Sequence, residues 1–150
     1  MPQPLSGYTV IEMGTAIQGP AAGVYLSDMG AEVVKIEPPT GDASRFHRGI
    51  NNNPMETPGS MFIAGNRGKR SVCIDVNTET GIEIVRRLIK DADVFMSNYR
   101  ASFLNRLGLD YETLAETNPS LIYAAVNGFG SFGPDADRPM VRARSRPAVV

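Results

Sequence analysis

The sequence is poor in the residues that build disulfides, metal sites and membrane spans. It contains one cysteine, Cys73, and one histidine, His47. A single cysteine excludes an internal disulfide, and a single histidine leaves no histidine-based zinc site. No run of eighteen apolar residues occurs, and the N-terminus lacks a basic region followed by an apolar stretch. We therefore expect neither a membrane span nor a signal peptide, which favours a cytoplasmic protein.

Positive charge is scarce except at the C-terminal end. The last thirteen residues, 138–150, hold four arginines and no acid, whereas the preceding residues carry an excess of acids. A basic tail can bind nucleic acid, but this one has no aromatic residue to stack on bases and no helical pattern. We predict no nucleic-acid partner and an irregular basic tail over 138–150.

Strand-like and helix-like patterns alternate along the remainder of the chain. Strands are predicted over 8–13, 32–38, 71–75, 93–98 and 120–130. Helices are predicted over 19–31, 78–92, 101–109 and 110–118. Residues 39–65 are rich in Asn, Pro and Gly, which predicts a long surface excursion with little regular structure. The alternation indicates an α/β fold with a Rossmann-like parallel sheet and helices on both faces.

In such a sheet, ligands bind beyond the carboxyl ends of the strands. Gly, Asn and Arg recur in the segments that follow the predicted strands, a composition suited to a ligand with phosphates and hydrogen-bonding groups. The spacing of Gly14, Gly19 and Gly23 matches neither a dinucleotide fingerprint nor a P-loop. The helix start at Gly19 is either a generic anion site or a place of close packing through small residues, and residue types favour neither.

Asn98, Tyr99, Arg100 and Arg106 lie around a predicted short helix. An aromatic ring beside Arg and Asn can hold a heterocycle, although residue types alone favour a solvated helix face. Cys73 is interpreted as a small core residue, because no histidine lies in the pattern to activate it.

Other charged residues have local interpretations. We interpret His47 as a surface residue and not a catalytic base. Asp42 and Arg45 are predicted to form a local pair that fixes a loop.

Several motifs together resemble one family. "PLSGYTVIEMGTAIQGPAAGVYLSDMGAEVVKIEPPTGD", "NRGKRSVCIDV", "ADVFMSNYR" and "RLGLDYETLAETNPSLIYAAVNGFGSFGP" are similar, in this order, to the class III CoA-transferases, the CaiB/BaiF group. The resemblance implies that residues 1–137 are the N-terminal part of a Rossmann-like large domain, incomplete relative to a two-domain fold. It also implies interlocked homodimers, with CoA and acyl-CoA as substrates, no permanently bound cofactor and no NAD.

The resemblance also implies a set of residues that contact CoA. They are Ile17, Gln18, Ile74, Asp75, Val76, Asn77, Asn98, Tyr99, Arg100 and Arg106. Two positions depart from the family pattern: Pro38 stands where an Arg often contacts the nucleotide, and Asn77 stands where many members have Lys. Both departures would weaken attraction to the nucleotide or its phosphates.

The implied reaction moves CoA between an acyl-CoA thioester and a carboxylic acid through an aspartyl mixed anhydride. The family's nucleophilic aspartate belongs to a downstream segment, so no catalytic residue is assigned and the chain alone is expected to be inactive. One alternative is an α-methylacyl-CoA racemase of the same family, although that branch uses a His after "GFG" that is absent here. Another is a non-catalytic CoA-binding remnant.

The family likeness stops shortly after Pro139. A hypothesis is that the reading frame shifts or is cut near Arg138.

Three cations, Arg67, Lys69 and Arg70, precede the third predicted strand. They would either attract the phosphates of CoA through their field or fix the long excursion with salt bridges. The structural role is favoured, because the implied contacts lie at the far end of the strand.

Overall fold

A five-stranded, all-parallel sheet organises the chain. The structure is a computed structural model that describes residues 3–46, 58–130 and 132–136. The strands are β1 (Thr9–Met13), β2 (Glu32–Glu37), β3 (Arg70–Cys73), β4 (Val94–Ser97) and β5 (Ile122–Ala125). Their order in the sheet is β3-β2-β1-β4-β5, and every neighbouring pair is parallel. The predicted α/β class is confirmed.

Five α-helices connect and cover the strands. They are α1 (Gln18–Asp28), α2 (Ser60–Asn66), α3 (Glu79–Lys90), α4 (Ala101–Leu107) and α5 (Tyr111–Ala115). The predicted cap of the third helix is confirmed, because the Thr78 hydroxyl accepts a hydrogen bond from the Gly81 N–H at 3.1 Å. Within the described residues, no helix is long and apolar enough to cross a bilayer.

Two expectations about local structure are wrong. The stretch 39–65 is not irregular throughout, since it contains a 3₁₀ turn at Ala43–Phe46 as well as α2. Cys73 is not a core residue: it is exposed, because β3 is an edge strand and pairs only with β2. His47 and the predicted tail over 138–150 lie outside the described residues.

One face of the sheet packs an apolar core. Side chains alternate between faces along a strand, so Ile11 and Met13 of β1 point to the same side. There they join Val85 and Ile89 of α3, and Phe95 of β4, all nearly inaccessible to water. The regular helical spacing of apolar residues on α3 supplies this contact.

The other face combines a small apolar cluster with buried charge. Val10, Ala31 and Val33 form the cluster on the side covered by α1. Glu12 and Lys35 lie on the same face, are 0% and 1% exposed, and stand directly opposite each other in the β1–β2 register. Burial of two charges is tolerable only when both are paired, which they are.

Candidate functional site

A cleft opens at the carboxyl ends of β1, β4 and β5. It has a volume of about 890 Å³. From β1 the chain adds β2 and β3 on one side of the sheet, whereas β4 and β5 lie on the other side of β1. The order in which strands are added therefore reverses between β1 and β4. Such a switch point is where open parallel sheets bind ligands.

Five of the ten residues predicted to contact CoA line this cleft. Ile17 and Gln18 follow β1, while Asn98, Tyr99 and Arg100 follow β4. Residues 74–77 follow β3 at the same edge of the sheet but do not line the cleft, because β2 lies between β3 and β1.

The side chains of residues 74–77 pack in the core or form hydrogen bonds within their own turn. Ile74 and Val76 are buried in the apolar core. The Asp75 carboxylate accepts hydrogen bonds from the Asn77 backbone and side-chain N–H groups at 3.0 and 2.9 Å. Arg106 lies on the exposed surface of α4, with its guanidinium 5.3 Å from the Phe103 ring centre.

Positive charge lies along one wall of the cleft. Helices α1 and α4 both begin at its rim, and helix N-termini carry partial positive charge. Arg100 immediately precedes α4, is exposed, and is the only Arg or Lys among the described residues that line the cleft. This wall suits the anionic part of a ligand.

Aromatic and acidic side chains complete the opposite wall. Tyr111 and Tyr123 pack edge to face with ring centres 6.0 Å apart, and the Tyr123 hydroxyl donates to the Leu109 carbonyl at 3.1 Å. Burial raises the pKa of Tyr123 to about 12. Asp110 and Glu112 also line the cleft, and the Asp110 carboxylate caps α5. Sequence patterns did not single out these four residues, although all lie in the quoted stretch "RLGLDYETLAETNPSLIYAAVNGFGSFGP", because only the packing of β5 against α5 brings Tyr123 beside Tyr111.

The loop after β1 is held from both sides. The Thr15 N–H donates to Asn98 Oδ1 at 2.9 Å, and Asn98 Nδ2 donates to the Thr15 carbonyl at 2.7 Å. From the β2 side, Lys35 Nζ donates to the Gly14 carbonyl at 2.7 Å, and the Thr15 hydroxyl donates to Asp42 Oδ1 at 3.1 Å. The next residue, Ala16, has a φ of 63°, the only positive φ of a non-glycine among the described residues.

Beneath this loop lies a continuous network of buried charges. Glu12 accepts from Lys35 at 3.1 Å through Oε1 and from Lys69 at 2.6 Å through Oε2. Lys69 also donates to the carbonyls of Pro20 and Gly65, both at 2.8 Å. Burial lowers the pKa of Lys69, while its hydrogen bond with Glu12 opposes that shift.

Helix α1 approaches this network very closely at Gly23. A Cβ at that position would lie 2.1 Å from Glu12 Oε2, so only glycine fits above the buried pair. Close packing through small residues, one of the two interpretations of this helix, is therefore confirmed at Gly23.

A second carboxylate, Glu37, organises the 3₁₀ turn. Arg45 donates to both of its oxygens at 2.7 Å, and Ser71 donates to Oε1 at 2.6 Å. Burial raises the pKa of Glu37, but these hydrogen bonds outweigh it and lower the pKa from 4.5 to about 2. The expected Asp42–Arg45 pair is thus wrong: Arg45 binds Glu37, and Asp42 pairs with Lys35, whose Nζ lies 3.0 Å from Asp42 Oδ2.

The cations of the "NRGKR" segment all form ion pairs within the chain. Arg67 pairs with Asp28 and Arg70 with Glu32 at the surface, while Lys69 is buried against Glu12. The favoured structural role of these residues is confirmed. Among the described residues, no group of three or more His, Cys, Asp or Glu side chains is placed to hold a metal ion.

Comparison with known proteins identifies the family of the chain. A family model described as CoA-transferase family III matches residues 5–143. The succinate–glutarate CoA-transferase of Agrobacterium fabrum is 44% identical over 140 residues, which are 89% of this chain and 34% of that protein. The cinnamoyl-CoA:phenyllactate CoA-transferase of Clostridium sporogenes is 38% identical over 135 residues, 89% of this chain and 33% of that protein.

Solved structures share the fold at similar identity. A CAIB/BAIF family protein from Brucella suis superposes with a TM-score of 0.84 and 43% identity, covering 93% of this chain and 37% of that one. Rv3272 from Mycobacterium tuberculosis gives a TM-score of 0.84 and 38% identity, covering 91% and 38%. The chain therefore spans about a third of the length of the curated relatives that it matches.

Proposed function

The chain belongs to CoA-transferase family III, and we propose that its protein transfers CoA from an acyl-CoA thioester to a carboxylic acid. The cleft at the ends of β1 and β4 binds the CoA moiety in this proposal. Its support is the convergence, in one cleft, of Ile17, Gln18, Asn98, Tyr99 and Arg100.

The chemistry of the cleft suits CoA. Acyl-CoA combines phosphates, amides and a thioester in one elongated molecule. Arg100 and the two helix N-termini offer charge to an anion, while Asn98 and Gln18 carry amide groups. Tyr111 and Tyr123 add an apolar, aromatic wall. The proposed contacts at residues 74–77 and Arg106 lie outside this cleft and would require CoA to extend along the sheet edge.

The transfer would proceed through an aspartyl mixed anhydride. A carboxylate attacks the thioester carbonyl and expels CoA thiolate, leaving the acyl group on the aspartate. The acceptor acid's carboxylate then attacks that acyl group, which frees the aspartate and joins the two acids in an anhydride. CoA thiolate attacks the acceptor-derived carbonyl of this anhydride, which gives the product thioester and releases the donor acid.

Neither Asp42 nor Asp110 suits the role of nucleophile. Asp42 is buried and occupied by Lys35, Ser44 and Thr15, and Asp110 caps a helix. The nucleophile would lie in the part of the relatives that follows the matched segment.

Dimerisation and a cytoplasmic location complete the proposal. Tyr25 and Met29 at the end of α1 are 66% and 48% exposed, and association of two copies would cover such apolar surface.

Substitution of Arg100 tests the binding proposal. We expect Arg100→Ala to weaken CoA binding by roughly tenfold to a hundredfold, the effect of losing a hydrogen bond to a charged group. Isothermal titration calorimetry of the full-length protein with CoA measures this directly. Arg87→Ala is the matched control, because Arg87 is an exposed arginine on α3 that pairs with Glu83. Equal CoA affinity in Arg100→Ala and wild type would contradict the proposal.

An assay of the full-length protein separates the three candidate activities. Isotope-labelled succinate and an unlabelled acyl-CoA report transfer through formation of labelled succinyl-CoA. Exchange of the α-proton of a 2-methylacyl-CoA in D₂O without transfer would indicate the racemase. Binding of CoA with neither reaction would indicate a non-catalytic remnant.

A further inference from the structure

Side chains from other segments of the chain hold the turn after β1 through hydrogen bonds. The backbone carbonyl of Met13 accepts from Ser97 Oγ at 2.7 Å, that of Gly14 from Lys35, and that of Thr15 from Asn98. Every carbonyl of this three-residue stretch is therefore hydrogen-bonded to a side chain from another segment of the chain.

The turn holds an unfavourable conformation directly after this stretch. A left-handed φ is unfavourable for a non-glycine residue, so it persists only where the surroundings enforce it. Ala16, at φ 63°, is exposed and lines the cleft, followed by Ile17 and Gln18 at the start of α1. The enforcing contacts are those that hold Gly14 and Thr15.

Two of the enforcing groups never reach the cleft. Asp42 is 3% exposed and Lys35 is 1% exposed, and neither lines the cleft. Asp42 Oδ1 accepts from the Ser44 N–H at 2.8 Å, from the Ser44 hydroxyl at 2.7 Å and from the Thr15 hydroxyl at 3.1 Å. The Lys35 ammonium bridges Glu12, Gly14 and Asp42.

We infer that Asp42 and Lys35 are positioning residues for the CoA cleft: Asp42 acts through the Thr15 hydroxyl and Lys35 through the Gly14 carbonyl, and together they hold the Thr15–Gln18 turn in its binding conformation. This inference rests on the proposed function. Loss of these hydrogen bonds lets Ala16 relax to a negative φ, which redirects the backbone that leads into α1. A folded variant of Asp42 or Lys35 would then bind CoA more weakly although every residue that lines the cleft is unchanged.

A double-mutant cycle between Asp42 and Thr15 tests the inference. We expect Asp42→Ala and Thr15→Val each to weaken CoA binding by about fivefold to tenfold, the factor for one hydrogen bond, because each removes the bond between the Thr15 hydroxyl and Asp42 Oδ1. Because both act through this one contact, Asp42→Ala should weaken binding little further in the Thr15→Val background. Thr15→Ser keeps the hydroxyl and should restore the wild-type affinity. Calorimetry with CoA gives the affinities, and thermal unfolding confirms that each variant is folded.

Asn118→Ala is the matched control for lost stability. Asn118 is buried and donates to the carbonyls of Ile89 and Ala92 at 3.1 and 2.8 Å, away from the turn. Asn118→Ala should lower the melting temperature and leave the CoA affinity of the folded protein unchanged.

The outcomes separate the inference from the proposed function. Failure of the wild-type protein to bind CoA overturns the proposed function. Wild-type binding with unchanged affinity in Thr15→Val overturns the positioning role, and so does full additivity of the two substitutions. If Asp42→Ala does not fold, Ser44→Ala takes its place, because Ser44 donates to Asp42 Oδ1 and does not line the cleft, and unchanged CoA affinity in that variant overturns the positioning role.

Discussion

The two faces of the sheet are both buried, but one packs apolar side chains and the other pairs charged side chains. Toward α3, the sheet presents Ile11, Met13 and Phe95 to an apolar core. Toward α1 and α2, it presents Glu12 and Lys35, which are equally buried but charged. The same alternation along β1 generates both faces, since successive side chains point to opposite sides.

The two faces differ in how strictly they fix the positions of the elements packed against them. Apolar packing tolerates changes of side chain when volume is kept, whereas a buried charge requires its partner in one place. Lys69 alone links Glu12 of β1 with carbonyls of α1 and α2. The charged face thereby fixes how α1 and α2 sit against the sheet, and the apolar face holds the larger of the two hydrophobic clusters.

Removal of Lys69 should break the charged face with the largest effect. Lys69→Met leaves Glu12 buried with one cation and leaves the Pro20 and Gly65 carbonyls without their donor. Loss of one partner of a buried ion pair costs about 3–5 kcal/mol of the free energy of unfolding. Urea denaturation monitored by circular dichroism measures it.

Arg70→Ala is the matched control for that substitution. Arg70 is the next residue, and it forms an exposed ion pair with Glu32 whose loss costs at most about 1 kcal/mol. Equal destabilisation by the two variants would refute the distinction between buried and exposed cations of this segment.

Acid should have the next largest effect, because it removes the contribution of the charged face to the free energy of unfolding. The pKa of Glu37 is about 2 in the folded protein against 4.5 ordinarily, so the unfolded chain binds more protons between these values. Its contribution, on the order of 3 kcal/mol, is complete above pH 4.5 and is lost as the pH falls towards 2. Asp42, whose pKa is also lowered, adds to the loss.

Urea denaturation at a series of pH values from 7 to 3 checks this dependence. Glu37→Gln should show a shallower decline of stability below pH 4.5 than the wild type. A decline just as steep in that variant would assign the acid sensitivity to other groups.

A conservative change on the apolar face should have the smallest effect. Ile89→Val removes one methylene from a residue that is 1% exposed and should cost about 1 kcal/mol. The melting temperature should fall by the same amount at pH 7 and pH 4, measured relative to wild type at each pH, because no titratable group is involved. A pH-dependent difference would show that the two faces are coupled.

Much of the fold could be predicted because its signals are local. Helix α3 has a capping Thr78, helical spacing of apolar residues and basic residues in its last turn, all within fourteen positions of sequence. Helix α2 was missed because its seven residues, none of them buried, carry no apolar periodicity. Cys73 was misplaced because an apolar strand pattern does not reveal whether the strand lies at a sheet edge.

The candidate site was predictable in part for a related reason. The rule that ligands bind at strand ends, together with the family resemblance, selected Ile17, Gln18 and residues 98–100, which the fold brings to one cleft. The buried charges were overlooked although they carried a signal. Glu12 and Lys35 interrupt two apolar strands with opposite charges, and they turn out to be register partners.

Local patterns of sequence specify the five strands, four of the five described α-helices and the parallel character of the sheet, because periodicity and capping act between neighbours along the chain. The different environments of Lys69 and Arg70, adjacent residues of like charge, arise only from tertiary packing. The partner of Lys69 is Glu12, 57 positions away, and the two meet only because α1 approaches the sheet closely at Gly23. Such a pairing depends on how elements pack in three dimensions, which no local pattern records.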